Sequence, residues 1–163
     1  MSLKKYWQKR KFEKTSEPKG EIFETSKDRF VVQEHWAIKA KYHQDFRLEM
    51  PSSTEVTEEK GVVLKSWAVP KGVPEKEGIK RLAIQTEDHP CSYIDFEGEI
   101  PEGLYGAGTV KIFDKGEYKL KERTEDKIIF ELKGKKLEGN YTLLKMKNQK
   151  NQWLLFKIRK EVK

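Results

Sequence analysis

From residue 29 onward, apolar and polar residues alternate over short runs, the period of two expected of strands that bury one face. Such runs fall at residues 29–33, 45–50, 62–69, 81–86, 109–113, 118–121, 128–132, 141–146 and 153–158, and they carry β-branched or aromatic side chains. Asp114-Lys115-Gly116, Lys133-Gly134-Lys135 and residues 148–151 stand where hairpin connections are needed. No segment shows a long apolar stripe at the helical period. The pattern predicts an all-β fold, an antiparallel sheet closed into a β-barrel with short helical or irregular connections.

Residues 1–28 have a different texture, dominated by Lys, Arg, Glu, Ser and Thr and broken at Pro18-Lys19-Gly20. They are expected to form a basic N-terminal arm lying on the surface or partly mobile, with residues 29–163 as a single barrel domain. Apolar residues make up 36% and charged residues 37% of the chain, yet eight Phe, six Tyr and four Trp supply the bulk for one core and exclude disorder throughout. Thirty-four Lys and Arg against 27 Asp and Glu give a net charge of +7, which suits a polyanionic partner but equally a solvated lysine-rich surface. A lone cysteine, Cys91, and the lack of any long apolar run lead to the expectation of a reduced, cytoplasmic, monomeric protein with no membrane association. Glu125-Asp126-Lys127 and the terminal Lys-rich stretch are expected to be a solvated turn and tail.

The chemistry concentrates in His35 to Arg47, which reads HWAIKAKYHQDFR. Strand alternation puts His43, Asp45 and Arg47 on one face and Phe46 and Leu48 on the other. Imidazole and carboxylate suit a divalent transition metal, and His35 from the preceding segment completes a two-His, one-carboxylate set with open positions. Beside it, Arg47 offers a bidentate fork to a phosphate. Taken alone, His-x-Asp is as compatible with a hydrogen-bonded surface pair. Glu87-Asp88-His89-Pro90-Cys91-Ser92-Tyr93 is read as a loop beginning at a strand end, where His89 and Tyr93 could face the same cavity or simply shape a turn. The four glycines between Gly98 and Gly108 lack the Gly-Lys-Ser/Thr of a P-loop and are read as a structural corner. Lys71, after Trp67-Ala68-Val69-Pro70, is either solvated or extended into the site.

Five blocks in order carry a resemblance: 30–35, 43–49, 64–72, 80–90 and 96–109. They resemble the successive motifs of the 3′-phosphoesterase domain of bacterial DNA ligase D, and the likeness runs over roughly residues 10 to 158. The resemblance implies a β-barrel enzyme of DNA end repair, dependent on Mn2+ or another divalent transition metal. It would remove a 3′-terminal ribonucleoside (phosphodiesterase) or a 3′-phosphate (phosphomonoesterase) from a primer-template end and leave a hydroxyl. By position, His35, His43 and Asp45 match metal ligands, Arg47 and His89 match residues that engage the scissile phosphate, and Tyr93 matches a residue close to it. Lys71, Arg81 and Glu87, with Arg10 and Glu17 from the arm, match supporting positions in catalysis or substrate binding.

Two departures accompany the likeness. His35 and His43 are eight residues apart where the family usually has six, with the extra residues within Trp36 to Tyr42, and Lys11 replaces an acidic residue after Arg10. The chain is also expected to hold no polymerase or ligase domain, so that a DNA ligase would act in trans. Two other readings remain open at this point. One is a non-haem Fe(II) oxygenase using His43, Asp45 and His89; the other is a non-catalytic nucleic-acid-binding barrel with basic and aromatic side chains along a single strand.

Overall fold

The computed structural model describes residues 3–20, 26–53 and 61–159; residues 160–163, expected as a solvated tail, lie outside them, as does part of the arm. A short helix α1 (Lys4–Gln8) precedes nine strands: β1 (Arg29–Ala37), β2 (Lys41–Pro51), β3 (Val62–Val69), β4 (Lys80–His89), β5 (Gly98–Ile100), β6 (Gly108–Arg123), β7 (Lys127–Lys133), β8 (Glu138–Lys145) and β9 (Gln152–Lys157). One 3-10 turn, Cys91–Asp95, follows β4. The sheet runs β1-β2-β3-β4-β9-β8-β7-β6, and β6 pairs back onto β1, so eight antiparallel strands close into a barrel while β5 extends the edge of β6. Among the described residues, no helix is long and apolar enough to cross a membrane.

Alternation along the strands creates two apolar layers. Phe30, Val32, Phe46, Leu48, Trp67, Phe130, Tyr141 and Leu155, drawn from strands all round the barrel, fill its interior. The barrel is therefore a packed core rather than a channel, and each fully buried side chain of this size stabilises the fold by about 1.5–3 kcal/mol. Residues one step out of phase, Val31 and Leu64 among them, meet Tyr6, Tyr93, Ile94 and Phe96 in a second cluster on the outer wall. This second cluster lets β1 and β2 bury both faces. The arm, expected on the surface, is drawn into it: Leu3 and Tyr6 are fully buried, and the Tyr6 hydroxyl donates to the Pro18 carbonyl.

Three local expectations change. Asp114-Lys115-Gly116, expected to be a hairpin connection, lies within the continuous β6, at an irregularity in the register with β1. The Asp114 carboxylate is used at long range instead, accepting from the backbone amides of Lys135, Lys136 and Leu137 at 2.8–3.0 Å in the β7–β8 connection. Gly134 makes that approach possible, since a Cβ there would sit 2.1 Å from an Asp114 oxygen. Secondly, Glu87, Asp88 and His89 are the last residues of β4 rather than the beginning of a loop. Thirdly, the residues between the first two histidines form a paired hairpin, not a loose loop, with only 38–40 outside the strands.

Candidate active site

On the outer wall, β1 and β2 place His35 directly opposite His43 and Gln33 opposite Asp45. Pairing explains how the longer spacing keeps both histidines on one face: two extra residues at a hairpin tip lengthen each strand by one, whereas an odd number would turn one histidine to the other face. His43 Nε2 lies 3.2 Å and His35 Nδ1 3.4 Å from the two oxygens of Asp45. One donor atom from each of the three residues falls within 4.8 Å of the others.

The far side of each ring fixes its proton. His35 Nε2–H donates to the Gly106 carbonyl at 2.7 Å, and His43 Nδ1–H donates to the Lys41 carbonyl at 3.2 Å, because a carbonyl can only accept. The near nitrogen of each ring faces a carboxylate oxygen, an arrangement completed by a positive charge between them, either a ring proton or a metal ion. Titration agrees with that demand for positive charge. Burial alone would push His43 down and Asp45 up, yet the Asp45 carboxylate raises His43, while the hydrogen bonds from both rings and the charge of Arg47 hold Asp45 well below the usual carboxylate range. These residues thus fit a divalent transition metal held through two nitrogens and a carboxylate.

Arg47 stands next to the triad, with Nη2 3.5 Å from Asp45. Its Nε donates to the buried Gln33 at 2.7 Å, and its guanidinium lies 4.8 Å over the Tyr93 ring. His89 is buried beside it and held neutral by desolvation and by the charges of Arg47 and Arg10. Its Nδ1–H donates to the Glu87 carbonyl at 2.9 Å, so Nε2 accepts from Arg10 at 3.3 Å. With both nitrogens engaged, His89 is not the third member of a facial triad; the residue assembled with His43 and Asp45 is His35.

The profile of the DNA ligase D 3′-phosphoesterase domain matches residues 33–145, a span that holds the triad, Arg47, His89 and Tyr93. The chain belongs to this family. Similar proteins include the multifunctional non-homologous end joining protein LigD of Pseudomonas aeruginosa, 39% identical over 96% of this chain and 18% of that protein. Those of Mycobacterium bovis and Mycolicibacterium smegmatis are each 38% identical, over 98% and 96% of this chain, and each is covered over 20% of its length. The chain spans about a fifth of the length of these relatives.

In this ligase D phosphoesterase domain the arm completes the wall of the site, although it precedes the matched span. Arg10 donates to Glu17 and to Glu87, each at 3.1 Å, and Lys9 adds a 3.0 Å ion pair to Glu87. Glu17 in turn accepts from the Tyr93 hydroxyl at 2.8 Å, and burial together with Glu17 keeps that phenol well above its ordinary pKa. Lys11 is exposed, so its departure from the acidic residue usual in the family leaves this network intact. Lys71 and Arg81 come together elsewhere, on the barrel end nearest His43. There Arg81 donates to the Lys71 carbonyl and, at 3.0 Å, to that of Gly72, while the Lys71 side chain is exposed. Among the described contacts, neither touches the cluster around Arg47.

Sequence reasoning missed Gln33. It is fully buried, gives both amide protons to the Tyr93 and Phe96 carbonyls at 2.9 and 3.1 Å, and takes the Arg47 proton. Its signal was legible as a polar residue in the apolar run Phe30-Val31-Val32, on the same face as His35. Gly106 was missed as well, since its contribution is a backbone carbonyl.

Proposed function

We propose that the chain is a metal-dependent phosphoesterase that heals DNA 3′ ends, removing a terminal ribonucleoside or a 3′-phosphate to leave a hydroxyl. What carries this reading is the convergence of His35, His43 and Asp45 with a pre-oriented Arg47 in a member of the ligase D 3′-phosphoesterase family. His35 Nδ1, His43 Nε2 and the Asp45 carboxylate would hold the cation, Mn2+ by the family likeness. A cation so held supplies Lewis acidity toward a phosphoryl oxygen and toward a water nucleophile.

The chain's own groups do the rest. Gln33 and the Tyr93 ring lock the plane of Arg47, leaving its Nη groups to meet phosphate oxygens as negative charge builds. Fixing that geometry beforehand removes an orientation cost from the reaction. His89, kept neutral, orients Arg10 toward the same wall without adding charge. Tyr93 keeps its proton and shares it with Glu17, so it acts as a positioning residue and a neutral hydrogen-bond donor rather than as a phenolate. Lys71 and Arg81, on the lip, are suited to the strand leading away from the reacting phosphate. We further propose that the domain acts as a monomer and that a DNA ligase completes the repair.

The test is a 5′-labelled primer-template ending in one ribonucleotide, beside a second ending in a 3′-phosphate, each incubated with several divalent metals. The expected product ends in a 3′-hydroxyl, forms with manganese, and is absent for His43→Ala and Asp45→Ala although both remain folded by circular dichroism. Full activity in either variant would overturn the assignment. Tight binding by the wild-type protein without turnover would instead make it a nucleic-acid-binding barrel.

A further inference from the structure

Tyr105 leaves 46% of its surface open to water, so core packing does not account for its ring. Its backbone is nevertheless fixed on both sides. Leu104, which precedes it, packs against the outer-wall cluster and closes a turn onto the Pro101 carbonyl at 3.2 Å. Gly106, which follows it, holds the His35 ring through its own carbonyl at 2.7 Å. The Tyr105 ring carries Lys9 Nζ at 4.7 Å and the Arg10 guanidinium at 5.1 Å from its centroid. Arg10 in turn touches His89, so the ring continues the wall that runs through His89 and Tyr93 to Arg47 and the triad.

The triad thus has two flanks. β6, with the turn before it, lies beside β1 and His35; β3, with the turn after it, lies beside β2 and His43. Their charges differ. On the β3 flank Arg81 donates only to the carbonyls of Lys71 and Gly72, Lys71 is exposed, and among the described residues no ion pair neutralises either. On the β6 flank Lys9 and Arg10 are matched by Glu87 and Glu17, which leaves an open aromatic ring in a balanced setting. A DNA strand brings a phosphate with every nucleotide and suits the cationic flank. The terminal ribonucleoside beyond the reacting phosphate brings a base and a sugar but no further phosphate, and suits the other. Every base has a face to stack, and a ring already held in place meets it with little loss of freedom.

We propose that Tyr105 is the stacking plate for the base of the leaving ribonucleoside, and so helps to decide which 3′ ends are trimmed. The proposal rests on the end-healing reading. In that step a water oxygen bonds to phosphorus and the bond from phosphorus to the nucleoside's 5′ oxygen breaks. That oxygen takes a proton from the water, and the strand keeps a 3′-phosphate. An end that already carries a 3′-phosphate offers the plate no base.

The experiment compares full-length wild type, Tyr105→Ala and Tyr105→Phe, with manganese, on three 5′-labelled primer-templates. One ends in a ribonucleotide, one in the same ribose without its base, and one in a 3′-phosphate. Wild type should release the base-bearing nucleoside with a kcat/KM about ten-fold above that for the abasic one. Tyr105→Ala should bring that ratio close to one through loss on the base-bearing end, and Tyr105→Phe should restore it. Across the three proteins, rates on the 3′-phosphate end should follow those on the abasic end. Equal losses for Tyr105→Ala on base-bearing and abasic ends would overturn the plate, the ring then serving only to seat the arm through Lys9 and Arg10. An undiminished ratio would overturn it too. Wild-type protein that hydrolyses the 3′-phosphate alone would sink the plate and leave end healing standing, whereas hydrolysis of neither ester would sink both.

Discussion

Gln33 shows how one uncharged side chain can set the geometry of a charged site. Its amide ties the 3-10 turn and the Phe96 carbonyl to β1 on one side and steadies Arg47 on the other. Gln33→Met keeps length and volume while removing every one of those bonds, leaving buried groups unpaired at a cost of about 2–3 kcal/mol. Urea unfolding should register that loss. Steady-state kinetics should show kcat falling about ten-fold, because Arg47 loses its fixed plane but keeps its charge. A variant with wild-type kcat would show that Arg47 needs no such support. Within His43-Gln44-Asp45-Phe46-Arg47 the division between wall and core was legible from alternation alone, since a strand allows only two directions. Gln33 was harder to find because burial of an amide is decided by what covers the strand, here Tyr93 and Phe96 from some sixty residues away.

At the scale of elements, the arm changes most between sequence and structure. Its composition reads as an arm lying on the surface or partly mobile, yet the Tyr6 ring packs tilted against His89 and edge-on against Tyr93, and Arg10 binds two buried carboxylates. Local patterns could not show this, because the partners of Lys9 and Arg10 lie 78 and 77 positions away in Glu87. The dependence on Glu87 gives the arm a pH response. Burial would raise the Glu87 pKa, but the hydrogen bond from Lys9 and the charge of Arg10 outweigh it and hold the group below its ordinary 4.5. A carboxylate depressed on folding stabilises fully above its unfolded value and loses that contribution as pH falls through the folded one. Unfolding free energy should therefore drop as pH is lowered below 4.5, and Glu87→Gln, less stable at neutral pH, should show a shallower drop. Parallel curves for the two proteins, measured by urea unfolding across this range, would remove Glu87 from the account.

For the molecule as a whole, closure depends on β6, which pairs with β1, β5 and β7 along its sixteen residues. Turn-forming residues at its centre divided it in two when read locally. Asp114 serves instead a contact across the paired strands β6 and β7, with the connection that follows β7 some twenty residues away. Replacing Asp114 by Ala strands three backbone amides of the β7–β8 connection. It should cost about 3 kcal/mol, or roughly 10 °C in melting temperature by calorimetry, without changing KM. An unchanged melting temperature would mean that water replaces the carboxylate there.

The β1–β2 hairpin, finally, separates reach from chemistry. Its histidines answer to strand register and its apex to length, so residues spliced in by twos around Ile38 and Ala40 would raise the tip while His35 and His43 stay paired on one face. Such grafts offer a graded ruler: a set of hairpins, each two residues taller than the last, with which to measure how far the tip can rise before metal binding at the triad is disturbed.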